Sequence, residues 1–275
     1  MAITSTSTPP SVHVTTSDGV RLALRRFPAR SPRAAALLVH AMMADASYLA
    51  PLAGTLAEAG VTAYTLDLRG HGNSVPPSPR RSRWWFEDYV ERDLPAAIEA
   101  VARDVGCAAS ELAYLGHSLG GLAGAAAFGT GSAPVPRRLA LITASPWILG
   151  GPFRLAIGSA LWGMSRPLGY LPTRALRLGN TDEPASYMAQ FFGWIRRGAW
   201  TGAGGVDYLA AAAGVTCPAW IVVAAHDRWC TEEDAQVLAG RLGGARTFRS
   251  VPGNHFSFFK HRALWPELAG FMAAA

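Results

Sequence analysis

Leu112-Ala113-Tyr114-Leu115-Gly116-His117-Ser118-Leu119-Gly120-Gly121-Leu122-Ala123 is the stretch on which the reading of this 275-residue chain turns. Its first part closes a short apolar run, 111–115, suited to a buried strand, and its second part opens an alanine- and glycine-rich helix over 119–128. Between them stands G-x-S-x-G, the pattern of a sharp strand-to-helix turn that presents a serine hydroxyl in a strained conformation. Glycine is needed two residues to either side because a side chain there would strike neighbouring backbone. In a chain with 29 glycines the pentapeptide alone is a weak signal. The strand before it and the helix after it carry the inference.

Outward from this turn, strands and helices alternate. Toward the N-terminus, 12–16 and 20–27 flank Asp18-Gly19 and predict a hairpin. Buried strands follow at 34–39 and 61–66, with a helix at 48–59 between them and a polar loop at 67–74. A long helix is predicted over 86–105, kinked by Pro95. Beyond the turn come a strand at 138–143, then strand 219–225, helix 231–242, strand 245–251 and a final helix over 262–272. Such alternation predicts an α/β fold with a mostly parallel central sheet and helices on both faces. Ligands of such sheets bind beyond the carboxyl ends of the strands. Chemistry is therefore expected in the loops that leave them.

Composition narrows the class. The formal charge is +6, yet the basic residues are almost all arginine, in scattered pairs such as Arg25-Arg26 and Arg137-Arg138. No basic stripe with interleaved aromatics points to nucleic acid. The greasiest region, 146–169, is broken by Pro152, Arg154 and Arg166, so no transmembrane segment is expected. Residues 1–10 lack the basic and apolar parts of a secretory signal and read as a disordered lead, with a cytoplasmic location as the expectation. Cys107, Cys217 and Cys230 have no metal-ligand spacing and fit a reduced compartment. Neither metal nor cofactor is expected.

A serine hydroxyl needs a base, and an oriented histidine is the usual one. Of seven histidines, His255 follows the strand ending at Val251, in Pro252-Gly253-Asn254-His255. His117 adjoins the serine, where its ring should point away from Ser118 or support the turn; His40 reads as structural, and His226 neighbours a better acid. That acid is Asp227, placed after strand 219–225. Glu232, Glu233 and Asp234 instead suit the first turn of a helix. The catalytic set is thus Ser118, Asp227 and His255, each after its own strand.

This order and spacing resemble the α/β-hydrolase family over nearly the whole chain. The family carries His-Gly-x after its third strand, where this chain has His40-Ala41-Met42-Met43. The resemblance implies that the backbone N–H groups of Met42 and Leu119 form an oxyanion hole, with Ala41 departing from the usual glycine. Asp67-Leu68-Arg69-Gly70-His71-Gly72-Asn73-Ser74 resembles the family's loop after its fourth strand and is given no chemistry. Leu168-Gly169-Tyr170-Leu171-Pro172, together with Gly253 to Phe259, is similar to a bacterial group of hydrolases of undefined substrate.

The resemblance places an inserted helical cap, or lid, at 146–214, between core segments 11–145 and 215–275. The cap is rich in aromatics, of which Trp147, Trp162 and Phe192, joined by Trp84, are expected to wall an apolar pocket. The cap arginines Arg154, Arg166, Arg174, Arg177, Arg196 and Arg197 read as solvated. The expectation is a serine esterase acting on a small, largely hydrophobic ester or acyl substrate. Thioester, lactone, amide or carbon–carbon cleavage and acyl transfer remain open on the same residues. A non-catalytic small-ligand-binding protein on a hydrolase scaffold is the competing class.

Overall fold

The computed structural model describes residues 11–76 and 79–274; the disordered lead expected at 1–10 lies outside them. The chain runs β1 (Ser11–Thr15), β2 (Arg21–Phe27), β3 (Ala34–Val39), α1 (Ala50–Glu58), β4 (Val61–Asp67), α2 (Phe86–Asp88), α3 (Leu94–Val105), β5 (Ala113–His117), α4 (Leu119–Thr130) and β6 (Arg138–Ile142). The next stretch carries α5 (Pro152–Leu168), the two-residue strands β7 (Tyr170–Leu171) and β8 (Glu183–Pro184), α6 (Ala185–Arg197) and α7 (Tyr208–Ala211). The alternation resumes with β9 (Ala219–Ala224), α8 (Glu232–Ala239), β10 (Arg246–Val251) and α9 (Trp265–Ala273).

The main sheet has the order β1-β2-β4-β3-β5-β6-β9-β10. Pairings β1–β2 and β2–β4 are antiparallel and the others parallel. After β3 the chain steps to β4 on one side, then returns to lay β5 on the other. That reversal opens a crevice at the carboxyl ends of β3 and β5. Period-two alternation divides the core: Leu37 and Val39 face one apolar layer, Ala36 and Leu38 the other.

Differences from the expected elements lie mainly at proline. The helix expected over 86–105 is a short turn, then a π-helical turn at Tyr89–Asp93, then α3 with Pro95 in its first turn. Proline has no N–H to return to the preceding turn, and the wider π turn takes up the mismatch. Pro51 and Pro266 likewise sit in the first turns of α1 and α9, where the absent N–H has no helical partner to lose.

Candidate active site

Ser118 links β5 to α4 with φ 49 and ψ −110, a conformation that side chains other than glycine rarely adopt. Its N–H donates to Ile142 O at 3.0 Å, and Gly120 N–H to His40 O at 3.0 Å, which pins the turn to β6 and to the end of β3. The glycines have steric reasons. A Cβ on Gly116 would lie 2.3 Å from Gly121 N, one on Gly120 2.5 Å from Val39 O, and one on Gly121 2.6 Å from Ala144 Cβ.

His255 follows β10 and Asp227 follows β9, strands in parallel register. His255 Nδ1 and Asp227 Oδ2 are 2.7 Å apart, so the ring donates from Nδ1 and leaves Nε2 free to accept. The other Asp227 oxygen accepts N–H from Trp229 at 2.8 Å and from Cys230 at 3.1 Å. The carboxylate is buried and aimed by three donors. The His255 carbonyl is held as well, by Thr143 Oγ1 at 3.2 Å and His117 Nε2 at 3.0 Å. Burial, reinforced by the neighbouring His255, holds the His117 pKa well below the imidazole range. Neutral His117 therefore donates through Nε2 and accepts from the Tyr48 hydroxyl through Nδ1, at 2.6 Å. Tyr48 in turn accepts the Ala41 N–H at 2.9 Å.

Ser118, Asp227, His255, Met42 and Leu119 all line one cavity of about 720 Å³. Its wall is largely apolar, with Met43, Leu122, Trp147, Leu178, Tyr187 and Phe191 among the lining residues. Of the four aromatics expected there, only Trp147 takes part; it stacks on Trp229 at 4.8 Å and donates its indole N–H to Trp229 O. Trp84 is a correction. It is 2% exposed, fills the space over Gly70, and satisfies its N–H on the Tyr89 hydroxyl at 2.5 Å. Trp162 and Phe192 are also corrected: they stack on each other at 5.3 Å and seal α5 against α6. Arg154 is not solvated as expected. It is buried in a two-pronged pair with Asp234 and lies over the Trp147 ring at 5.3 Å. The other five inserted arginines are exposed.

Two groups escaped the sequence reading. Tyr48, Tyr187 and Trp229 gave no signal apart from other aromatics. Glu183 did carry one, being among only three acids in 146–214. It is fully buried and reaches the loop after β3. Among the described residues, no cluster of His, Cys, Asp and Glu could hold a metal ion, and no helix is long and apolar enough to cross a membrane.

A mostly parallel eight-stranded sheet, with a strained serine at the carboxyl end of its fifth strand, defines an α/β-hydrolase-superfamily protein. Structures of this class superpose over nearly the whole chain. An α/β hydrolase from Penicillium sp. sh18 gives a TM-score of 0.70 at 18% identity, covering 96% of this chain and 97% of that one. An esterase from Exiguobacterium antarcticum gives 0.66 at 14%, covering 96% and 100%. A monoacylglycerol lipase from Paleococcus ferrophilus gives 0.62 at 19%, covering 91% and 99%. At such identities the likeness is one of fold. More specifically, the family model described as serine aminopeptidase, S33, matches residues 30–185, more than half the chain, and the chain belongs to that family. Over 136 residues it is also 31% identical to mouse lipase member N and 32% identical to the human protein. That match covers 42% of this chain and 34% of each lipase, so the chain spans about a third of the length of these curated relatives.

Proposed function

We propose that the protein hydrolyses carboxylic esters of small, largely hydrophobic substrates through an acyl-enzyme on Ser118. The observation that carries this reading is the oriented His255–Asp227 pair opening onto the same apolar-walled cavity as the strained serine. In the first step Ser118 Oγ attacks the ester carbonyl carbon while His255 Nε2 takes the hydroxyl proton. Asp227 stabilises the imidazolium, and the Met42 and Leu119 N–H groups stabilise the oxyanion. Collapse expels the alkoxide, which leaves with the proton from His255. Water then repeats the sequence on the acyl-enzyme, releasing the acid and restoring Ser118.

Residues 146–214 act in this reading as a cap. They contribute Trp147, Leu178, Tyr187 and Phe191 to the cavity, surfaces suited to an acyl chain or aryl ring. A peptide with a free N-terminus fits less well. The carboxylate lining the cavity is Asp227, buried and already paired with His255, so the lining offers no separate carboxylate to hold an ammonium group. Turnover of p-nitrophenyl esters of graded chain length tests the proposal, with Ser118→Ala as baseline. Loss of turnover in that variant, together with loss of fluorophosphonate labelling, is the expected result. Equal rates in both proteins at every chain length would end the ester reading, and an absence of Ser118-dependent labelling would favour a binding protein.

A further inference from the structure

We infer that the inserted segment Gly179–Glu183 is part of the oxyanion machinery, with Glu183 a positioning residue that fixes the backbone of Met42 and Met43. The inference rests on the hydrolase reading for what the loop does, but its geometry stands apart from the substrate.

The loop after β3 carries its strain at Met43, whose φ of 62 lies in the left-handed region. A residue with a side chain stays there only when its surroundings over-determine it. Both polar groups of the Met43 backbone are taken by the insert. Its N–H donates to Glu183 Oε1 at 2.6 Å, and its carbonyl accepts the Asn180 N–H at 2.9 Å. Gly179 lets the two backbones meet, since a Cβ there would lie 2.0 Å from Met43 O.

Met42 is therefore suspended between two held peptide planes. In the first, the Ala41 carbonyl accepts from His40 Nδ1 at 2.7 Å. A trans peptide points its N–H opposite to its C=O, so this bond aims the Met42 N–H. The second plane joins the Met42 carbonyl to the Met43 N–H, and Glu183 holds it. The first anchor belongs to the sheet's own loop, the second to the insert.

Glu183 is an expensive way to make one hydrogen bond, because it is fully buried. Its Oε1 accepts both the Met43 N–H and His71 Nε2, the latter at 3.0 Å, while Oε2 is buried without a partner. His71 also donates Nδ1–H to Arg69 O at 2.8 Å, so both ring nitrogens are donors and the ring is an imidazolium. Burial pulls the His71 pKa down, but the Glu183 carboxylate outweighs it and holds the group above its ordinary value. Register fixes the backbone: Glu183 pairs with Leu171 in the β7–β8 ladder, and α6 starts two residues later. A carboxylate kept buried with an idle oxygen, on a rigid mount, against a strained residue of the site, serves position rather than stability.

The test uses Glu183→Ala, Glu183→Gln and Gly179→Ala in the full chain, with Gly163→Ala as control, since a Cβ at Gly163 meets nothing within 4 Å. Expected for Glu183→Ala is a kcat about 10- to 100-fold lower, below the full loss of an oxyanion donor, with KM changed less than about threefold. Glu183→Gln keeps an acceptor for Met43 and should recover part of this loss; Gly179→Ala should lower kcat, and Gly163→Ala should not. A cooperatively melting Glu183→Ala with kcat within twofold of wild type overturns the inference. If that variant does not fold, the same criterion applies to Gly179→Ala, whose Cβ would press on Met43 O. If wild type labels with fluorophosphonate yet turns over no ester, the ester reading fails and labelling rates decide the role of Glu183. If it does neither, amide NMR decides: Met42 and Met43 resonances displaced in Glu183→Gln support the clamp, and unmoved resonances refute it.

Discussion

Replacing Asp227 by asparagine keeps the shape of the site and changes the position of one proton. Asp227 Oδ1 accepts the N–H groups of Trp229 and Cys230, while Oδ2 accepts the proton on His255 Nδ1. An asparagine at this position must keep its oxygen on the two backbone amides. Turned round, its NH2 would face two donors and forfeit both bonds, about 1–3 kcal/mol each for buried groups. The NH2 therefore points at His255 Nδ1, which must become the acceptor, and the ring proton moves to Nε2. A ring carrying hydrogen on Nε2 cannot take the Ser118 proton. The expected loss in kcat is about 10³- to 10⁴-fold, or ~4–5.5 kcal/mol in barrier. Steady-state hydrolysis of a p-nitrophenyl ester measures it, with Ser118→Ala as the floor, and imidazole ¹⁵N shifts report the His255 tautomer. A variant within tenfold of wild-type kcat, its ring proton moved to Nε2, would refute this account of the base.

Gly120→Ala should destabilise the protein by about 1–3 kcal/mol or abolish folding, because its Cβ would press on Val39 O and His40 O, both backbone. Gly163→Ala, on the exposed side of α5, should instead raise stability by about 0.5–1 kcal/mol in denaturant titrations. Arg154→Met strands a buried Asp234 and should cost about 3–5 kcal/mol, read as a lower denaturation midpoint. Burial, aided by His71 for His40 and by His255 for His117, keeps both rings neutral and well below the imidazole range. Unfolding then takes up protons below about pH 6.5, so unfolding free energy should fall as pH drops from 6.5 toward 5.5. His71, raised above its ordinary value, acts oppositely: its contribution is full below about pH 6.5 and is lost as pH rises through its folded value. Asp93, pushed up to about 6 by burial, offsets part of this fall, and a stability that rises between pH 6.5 and 5.5 would contradict the neutral burial of His40 and His117.

The α/β alternation, the serine turn and the succession of Ser118, Asp227 and His255 were legible in the chain itself. Each depends on short-range rules: period-two apolar runs for strands, glycine where backbones crowd, and polar residues where parallel strands end. The π turn before Pro95 was half legible, as a kink without its geometry. Pocket walls were not legible. Trp84, Trp147, Trp162 and Phe192 look alike in sequence, yet one lines the cavity, one fills the space over a glycine and two pack against each other. Which face of an aromatic residue meets solvent depends on how helices from distant parts of the chain pack, and nothing local encodes that. Arg154 and Glu183 teach the same lesson for charge. Each is buried because a partner some 80 to 140 residues away in sequence reaches it, Asp234 in one case and Met43 in the other. Sequence alone determined the fold and the residue types that the proposed chemistry uses. Only the tertiary structure decided the pocket walls and the loop held by the insert, since both are contacts between segments that local physics leaves independent.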